Sequence, residues 1–187
     1  MKTINEQTNA FIMADMKQDV RAIAKFLGVN SVKVNVNSET KIPVVHTENG
    51  SSVSGLASIT KYLAQKANKQ TLLGTSAEQK AAISQWLEYR VTQVDRCHNR
   101  EDVKTVLKEL NFYLRDRVYM SGNQFTIADL LLYYGLHSIV SQLTMQERQK
   151  FMNLSRWFDN VQRYPSIQQH LTQLVFPKNI LYADGVH

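Results

Sequence analysis

Cys97 and His98 stand side by side, the pairing of thiol and imidazole from which an activated nucleophile is built. Neighbours on a charged loop face apart, however, and no acid is placed to orient the imidazole, so catalysis is not expected there. Glu88 and Asp95 lie two turns apart on a predicted helix and could form an acid pair; with Arg90 and Arg96 beside them they read instead as a solvated or interfacial charged face. The five histidines (His46, His98, His137, His170, His187) are scattered, Cys97 is the only cysteine, and there is no CxxC motif, so neither a disulfide nor a structural metal site is expected. His137, embedded in LLLYYGLHSIV, reads as a satisfied core histidine. The seven glycines never cluster into a phosphate-cradling loop. No catalytic residue, metal or cofactor is assigned.

The chain of 187 residues is long enough for one large domain or two small ones with a real core. Its net charge of +6, from 22 basic and 16 acidic residues, is loosely spread. Residues 1–70 carry nine basic and five acidic groups, with Lys61, Lys66 and Lys69 close together. Basic residues do not interleave with aromatics, so direct nucleic-acid binding is not expected and a solvated surface is the default. The first 17 residues lack the apolar core of a secretory leader, and no apolar run approaches the roughly 20 residues of a membrane helix. A soluble, cytosolic protein without membrane contact is expected.

The elements follow from spacing. Met16, Val20, Ile23 and Leu27 predict an amphipathic helix that Gly28 closes. Val32, Val34 and Val36 alternate as in a half-buried strand, and Ile42 to His46 form a second, with Gly50, Ser51 and Ser52 as the next turn. Helical spacing returns over Ser54 to Ala67, and KQTLLGTS connects two domains, 1–70 and 71–187. Ser76 with Gln79 resembles a capping box opening a helix through Arg96, and a second helix carries Val103, Val106, Leu107, Leu110 and Leu114. Thr126 and Asp129 cap a third helix, with Phe125 and Leu130 as a hydrophobic staple. It is apolar through Val140 and must run through the middle of a bundle, where Gly135 lets a neighbour approach closely. Thr144 and Glu147 cap a short polar helix, Leu154, Trp157, Phe158 and Val161 mark the next, and Ser166 with Gln169 starts one ending near Leu174.

A small α/β unit with a proline in KIPVV, followed by helices carrying TIAD and RWFDNVQRYP, resembles the glutathione transferase fold. The expected class is therefore α+β: a reduced thioredoxin-like unit over 1–70 and an all-helical domain over 71–187. The resemblance implies a cis peptide bond before Pro43. Within this superfamily the strings VSGLASITKYLAQKANKQ, QWLEYRVTQVD, ADLLLYYGLH and LSRWF are similar to the small scaffold subunits of the multi-tRNA synthetase complex, from about Lys41 to Tyr182.

A transferase needs a hydroxyl or thiol near its first helix. Residues 1–30 contain no Tyr, Ser or Cys and leave only Thr3 and Thr8. It also needs an acidic or amide residue followed by Ser at the helix after the third strand, and these positions hold Gly55 and Leu56, neither of which can grip glutathione. Fold likeness thus does not carry activity, and the chain is expected not to be an enzyme. The resemblance implies two partner faces instead. One, the dimer-like face, pairs with methionyl-tRNA synthetase; its candidates are Leu56, Lys61, Tyr62, Glu88, Tyr89 and Arg90. The other carries Arg156 and Trp157 and pairs with glutamyl-prolyl-tRNA synthetase or another transferase-like subunit. Arg156 is the contact candidate, because a planar guanidinium pairs two-pronged with a carboxylate, and Trp157 reads as core. Bridging two synthetases is the implied function, along with delivery of initiator methionyl-tRNA and movement to the nucleus after DNA damage. The alternatives are a glutathione-dependent transferase and a tRNA-binding accessory module.

Overall fold

Among the described residues, the change from helical to strand spacing near residue 28 is where the first helix ends. In the computed structural model, which describes residues 16–29, 32–97 and 99–176, residues 16–27 form α1, with Val20, Ile23 and Leu27 inside. Gly28 takes the left-handed conformation (φ 76°), and the amides of Gly28 and Val29 bond back to Lys25 (3.1 Å) and Ala24 (2.8 Å), closing the helix in a Schellman turn.

Three short strands follow, β1 (Val34–Val36), β2 (Pro43–His46) and β3 (Ser52–Ser54), antiparallel in that order. Val34 pairs with Val45 and both are buried, so the valine alternation sets the register. The expected cis bond before Pro43 is trans, as are all described peptide bonds. Pro43 stands opposite Val36 in the ladder, Ile42 accepts from the Asn37 amide (3.0 Å), and Pro43 accepts from the Gly55 amide (2.9 Å). The residues on both sides of this bond thus take part in backbone hydrogen bonds. β3 lies where a turn and the start of a helix were expected. With only Val53 apolar in SVS, it carries too little pattern to be read as a strand.

The helices are α2 (Leu56–Lys66), α3 (Ala77–Thr92), α4 (Arg100–Tyr113), α5 (Ile127–Ser141), α6 (Met145–Lys150) and α7 (Met152–Gln162). Ser76 caps α3 by accepting from the Gln79 amide (3.2 Å), while the Gln79 side chain returns to Thr75, one residue upstream of the expected box. α3 stops at Thr92 and a 3-10 turn, Val94–Arg96, completes the predicted stretch. Asn99 caps α4, and Thr144 with Glu147 caps α6 in a full box.

α5 runs through the middle, as its apolar sequence requires, packed against α2, α3 and α7. Its first turn is anchored by Asp129. Oδ2 accepts from the amide (3.0 Å) and hydroxyl (3.1 Å) of Thr126, and Oδ1 accepts from the amide of Met120 (2.8 Å) and the indole of Trp157 (2.9 Å). Phe125 lies in an aromatic cluster, stacked on Tyr164 (4.2 Å between ring centroids) and tilted against Phe26.

The helix expected from Ser166 to near Leu174 does not form. Ser166 and Gln169 both take positive φ (64° and 49°), and the backbone is satisfied from outside. The Tyr134 hydroxyl donates to Ile167 (2.7 Å), His137 bonds the Thr172 carbonyl (2.9 Å), Gln162 bonds both the amide (3.0 Å) and the carbonyl (2.9 Å) of Leu174, and Arg148 donates to Val175. Side chains of α5, α6 and α7 replace the bonds a helix would make within itself.

Burial pushes the Asp129 carboxyl up to about 6 from its ordinary 3.8, while its four hydrogen bonds pull it down. Since the folded state takes up this proton before the unfolded chain does, Asp129 contributes a stability that grows as pH falls from 7 toward 4, by on the order of 2–3 kcal/mol. In Asp129→Asn the amide NH2 faces hydrogen-bond donors, a loss of about 2–4 kcal/mol near pH 5. Denaturant unfolding at several pH values should show the gap between wild type and variant narrowing as pH rises from about 5 to 7.5. A constant gap would show that Asp129 does not titrate in that range.

Candidate partner-binding surfaces

At the start of α2, Gly55 has φ 88° and spends its amide on Pro43, while Leu56 is buried. The pair presents no side-chain donor or acceptor. Thr3, Thr8, His98 and His187 lie outside the described residues. Cys97 is half-buried and its thiol donates to Gln93 (3.4 Å); burial, with Asp102 nearby, pushes the thiol pKa up, away from thiolate. His137 is a core histidine with a satisfied ring nitrogen. Among the described residues no group of three His, Cys, Asp or Glu could hold a metal, and no helix is long and apolar enough to cross a membrane.

The residues expected on a dimer-like face lie on α2 and α3. Lys61 donates to Ser84 (3.0 Å), fixing one helix against the other, and Tyr62 lies half-buried beside it. Glu88 is exposed. Tyr89 is half-buried, its ring edge-on to Trp86 (5.2 Å) and its hydroxyl donating to Glu109 (2.8 Å); burial and this carboxylate push its pKa up. Leu56 and Arg90 lie beneath this face, not on it.

Arg90 is 3% exposed. Its Nη2 bonds Asp19 of α1 (2.8 Å) and its Nη1 pairs with the half-buried Asp95, so Arg90 sits in an inward ion cluster where a solvated or interfacial charged face was expected. The guanidinium lies over Gly135 of α5, at a place where any Cβ would overlap it. Gly135 thus admits an arginine head group, and α1, α3 and α5 meet around one cation. The spacing held a usable signal: Arg90 falls on the stripe Ile83, Leu87, Val94 that faces inward.

On the other side, α7 turns Trp157 inward (1% exposed), its indole on Asp129, and Arg156 outward. Arg156 Nη2 donates to the carbonyls of Leu114 (2.6 Å), which opens the 3-10 turn after α4, and Arg117 (3.0 Å), which follows it. A shallow groove runs between this turn and α7, lined by Arg115, Arg117, Val118, Arg156, Asn160 and Arg163 among others.

Arg90→Ala leaves two carboxylates without their cation and should cost about 3–5 kcal/mol. Gly135→Ala overpacks the same spot, at a cost of about 1–3 kcal/mol. In Arg90→Ala/Gly135→Ala the added methyl no longer meets a guanidinium, so the double variant should be more stable than the sum of its parts, read from urea midpoints. Strict additivity would mean that Gly135 is not there to admit Arg90.

A family model described as nuclear-export cofactor Arc1p matches residues 79–165. Eukaryotic translation elongation factor 1 epsilon-1 of Homo sapiens is 50% identical over 168 residues, 89% of this chain and 97% of that protein. The bifunctional glutamate/proline–tRNA ligase of Mus musculus is 30% identical over 138 residues, 73% of this chain but 9% of the ligase. Among solved structures, a glutathione S-transferase from Pichia kudriavzevii superimposes with a TM-score of 0.67 at 20% identity, covering 81% of this chain and 88% of that one, a likeness that shows the fold alone. With a transferase-like α+β fold and half its residues shared across nearly the whole of that human relative, the chain belongs to the eukaryotic translation elongation factor 1 epsilon-1 family.

Proposed function

We propose that this protein is a non-catalytic adaptor of the multi-tRNA synthetase complex, bridging two synthetases through opposite faces of a transferase-like fold. The observation that carries the reading is the pair Gly55–Leu56 at the start of α2, which offers glutathione neither a charge nor a hydrogen bond. The likeness to a translation factor and to a glutamate/proline–tRNA ligase supports synthetase partners. On this reading the chain divides near residue 70 into a reduced thioredoxin-like unit and a helical domain. Lys61, Tyr62, Glu88 and Tyr89 meet methionyl-tRNA synthetase, with Leu56 and Arg90 supporting them from beneath. Arg156 meets glutamyl-prolyl-tRNA synthetase or another transferase-like subunit, with Trp157 beneath it. Two independent faces raise the effective concentration of each partner for the other. The protein works in the cytoplasm and also enters the nucleus.

The test is co-purification of the chain with both synthetases, followed by mass measurement of the complex. A ternary complex is expected; Glu88→Arg should weaken the methionyl-tRNA synthetase contact and Arg156→Ala the glutamyl-prolyl contact, each by about fivefold or more. The reading fails if the chain retains no synthetase, or if it binds immobilised glutathione and turns over an electrophilic substrate.

A further inference from the structure

A recess of about 200 Å³ opens where the start of α1, the end of α3 and the second half of α5 converge beneath the chain that follows α7. Gly135 makes the room. It presents no side chain, so the floor is the Arg90 guanidinium lying over bare backbone. The roof is Leu171, and two side chains that also line the recess tie down the segment on either side of it. Tyr134 donates to the Ile167 carbonyl (2.7 Å), and His137 bonds the Thr172 carbonyl (2.9 Å). Gln18, Ser138 and His170, all exposed, rim the mouth. A single water needs about 10–15 Å³ of such space and a drug-sized ligand about 300–1,000 Å³, so the recess suits a small molecule between these limits.

The lining has two characters. Val94, Cys97, Val103, Ile139 and Leu171 supply apolar wall, while Asp19, Arg90 and Asp95 supply charge. Two carboxylates thus face one guanidinium. Asp95 gives Oδ1 to Arg90, but its Oδ2 is buried and, among the described residues, meets no hydrogen-bond donor. A buried carboxylate oxygen in that position carries a desolvation cost that its surroundings do not offset. The chemistry of the completing group follows. An anion would add to the excess negative charge, and a neutral alcohol would bring a donor without balancing it. An ammonium group supplies both the donor and the charge.

We propose that this recess binds a small primary amine with an apolar body, the ammonium donating to Asp95 Oδ2 and the hydrocarbon lying against Val94, Val103, Ile139 and Leu171. The site is separate from the proposed partner faces, with which it shares only Arg90, from beneath.

The experiment titrates the full-length chain, at pH 8 and fixed ionic strength, with isopentylamine, the neutral isopentyl alcohol and the zwitterion leucine, which carry the same branched hydrocarbon. Two readouts are followed. One is the urea midpoint, which a ligand of the folded state raises. The other is the rate at which iodoacetamide alkylates Cys97, the only cysteine of the chain and part of the wall, measured by intact mass. Isopentylamine should raise the midpoint and slow alkylation by about fivefold or more at saturation; the alcohol and leucine should bind about tenfold or more weakly. Asp95→Asn keeps the shape and should lose the preference for amine over alcohol. Val103→Phe fills the recess with both carboxylates in place and should abolish both responses. Each variant is compared with and without amine, so a lower starting stability does not disturb the result. The proposal is overturned if isopentylamine leaves either wild-type readout unchanged, if the alcohol or leucine binds as tightly as the amine, or if Asp95→Asn or Val103→Phe responds to the amine as wild type does.

Discussion

The Asp129 carboxylate is the point on which the helical part of the fold is registered. A buried acceptor with four donors has no spare geometry: moving any donor leaves an unsatisfied charge in a dry interior. One donor pair is its own helix start at Thr126, another is the turn at Met120, and the last is Trp157 of α7. The helix start, the turn before it and α7 are thereby held in one arrangement. Arg156, one residue before Trp157 and about 100° round the helix, is exposed and reaches the carbonyls of Leu114 and Arg117. A core hydrogen bond thus sets the geometry of a surface.

The cluster at Arg90 does the same for the other end of the molecule. α1, α3 and α5 come from distant parts of the chain, and apolar packing alone would tolerate small slides between them. A guanidinium seated over Gly135 and held by Asp19 and Asp95 does not, because each ion's desolvation is offset only in one geometry. The residues after α7 are positioned by the same kind of bond. Tyr134, His137, Arg148 and Gln162 take up their carbonyls, so the chain can cross the bundle without a helix of its own.

The transferase architecture is kept, yet the two positions at the start of α2 that would grip a charged tripeptide hold a glycine and a buried leucine. What the fold still offers is rigid presentation of helices on two sides, α2 with α3 on one and α7 with the turn after α4 on the other. The proposed adaptor role calls for such stiffness, since a flexible bridge loses to entropy what it gains by proximity.

Much was legible in the residues themselves wherever the cause is local. Thr126 with Asp129 and Thr144 with Glu147 mark helix starts because the bonds span three residues, and the inward stripes of α1, α4 and α7 follow from 3.6-residue spacing. The core place of Trp157 and His137 was equally plain. Only the tertiary structure decided the rest. The bond before Pro43 is trans where the resemblance implied cis, and the failure of a helix after Ser166 follows from hydrogen-bond partners on three other helices. Arg90 lies inside because Asp19, 71 residues away, meets it there. Arg156 holds carbonyls about 40 residues upstream, where spacing showed only an exposed cation. Local bonds are written in neighbouring residues; a buried charge or an unsatisfied carbonyl finds its partner only after the chain has closed on itself.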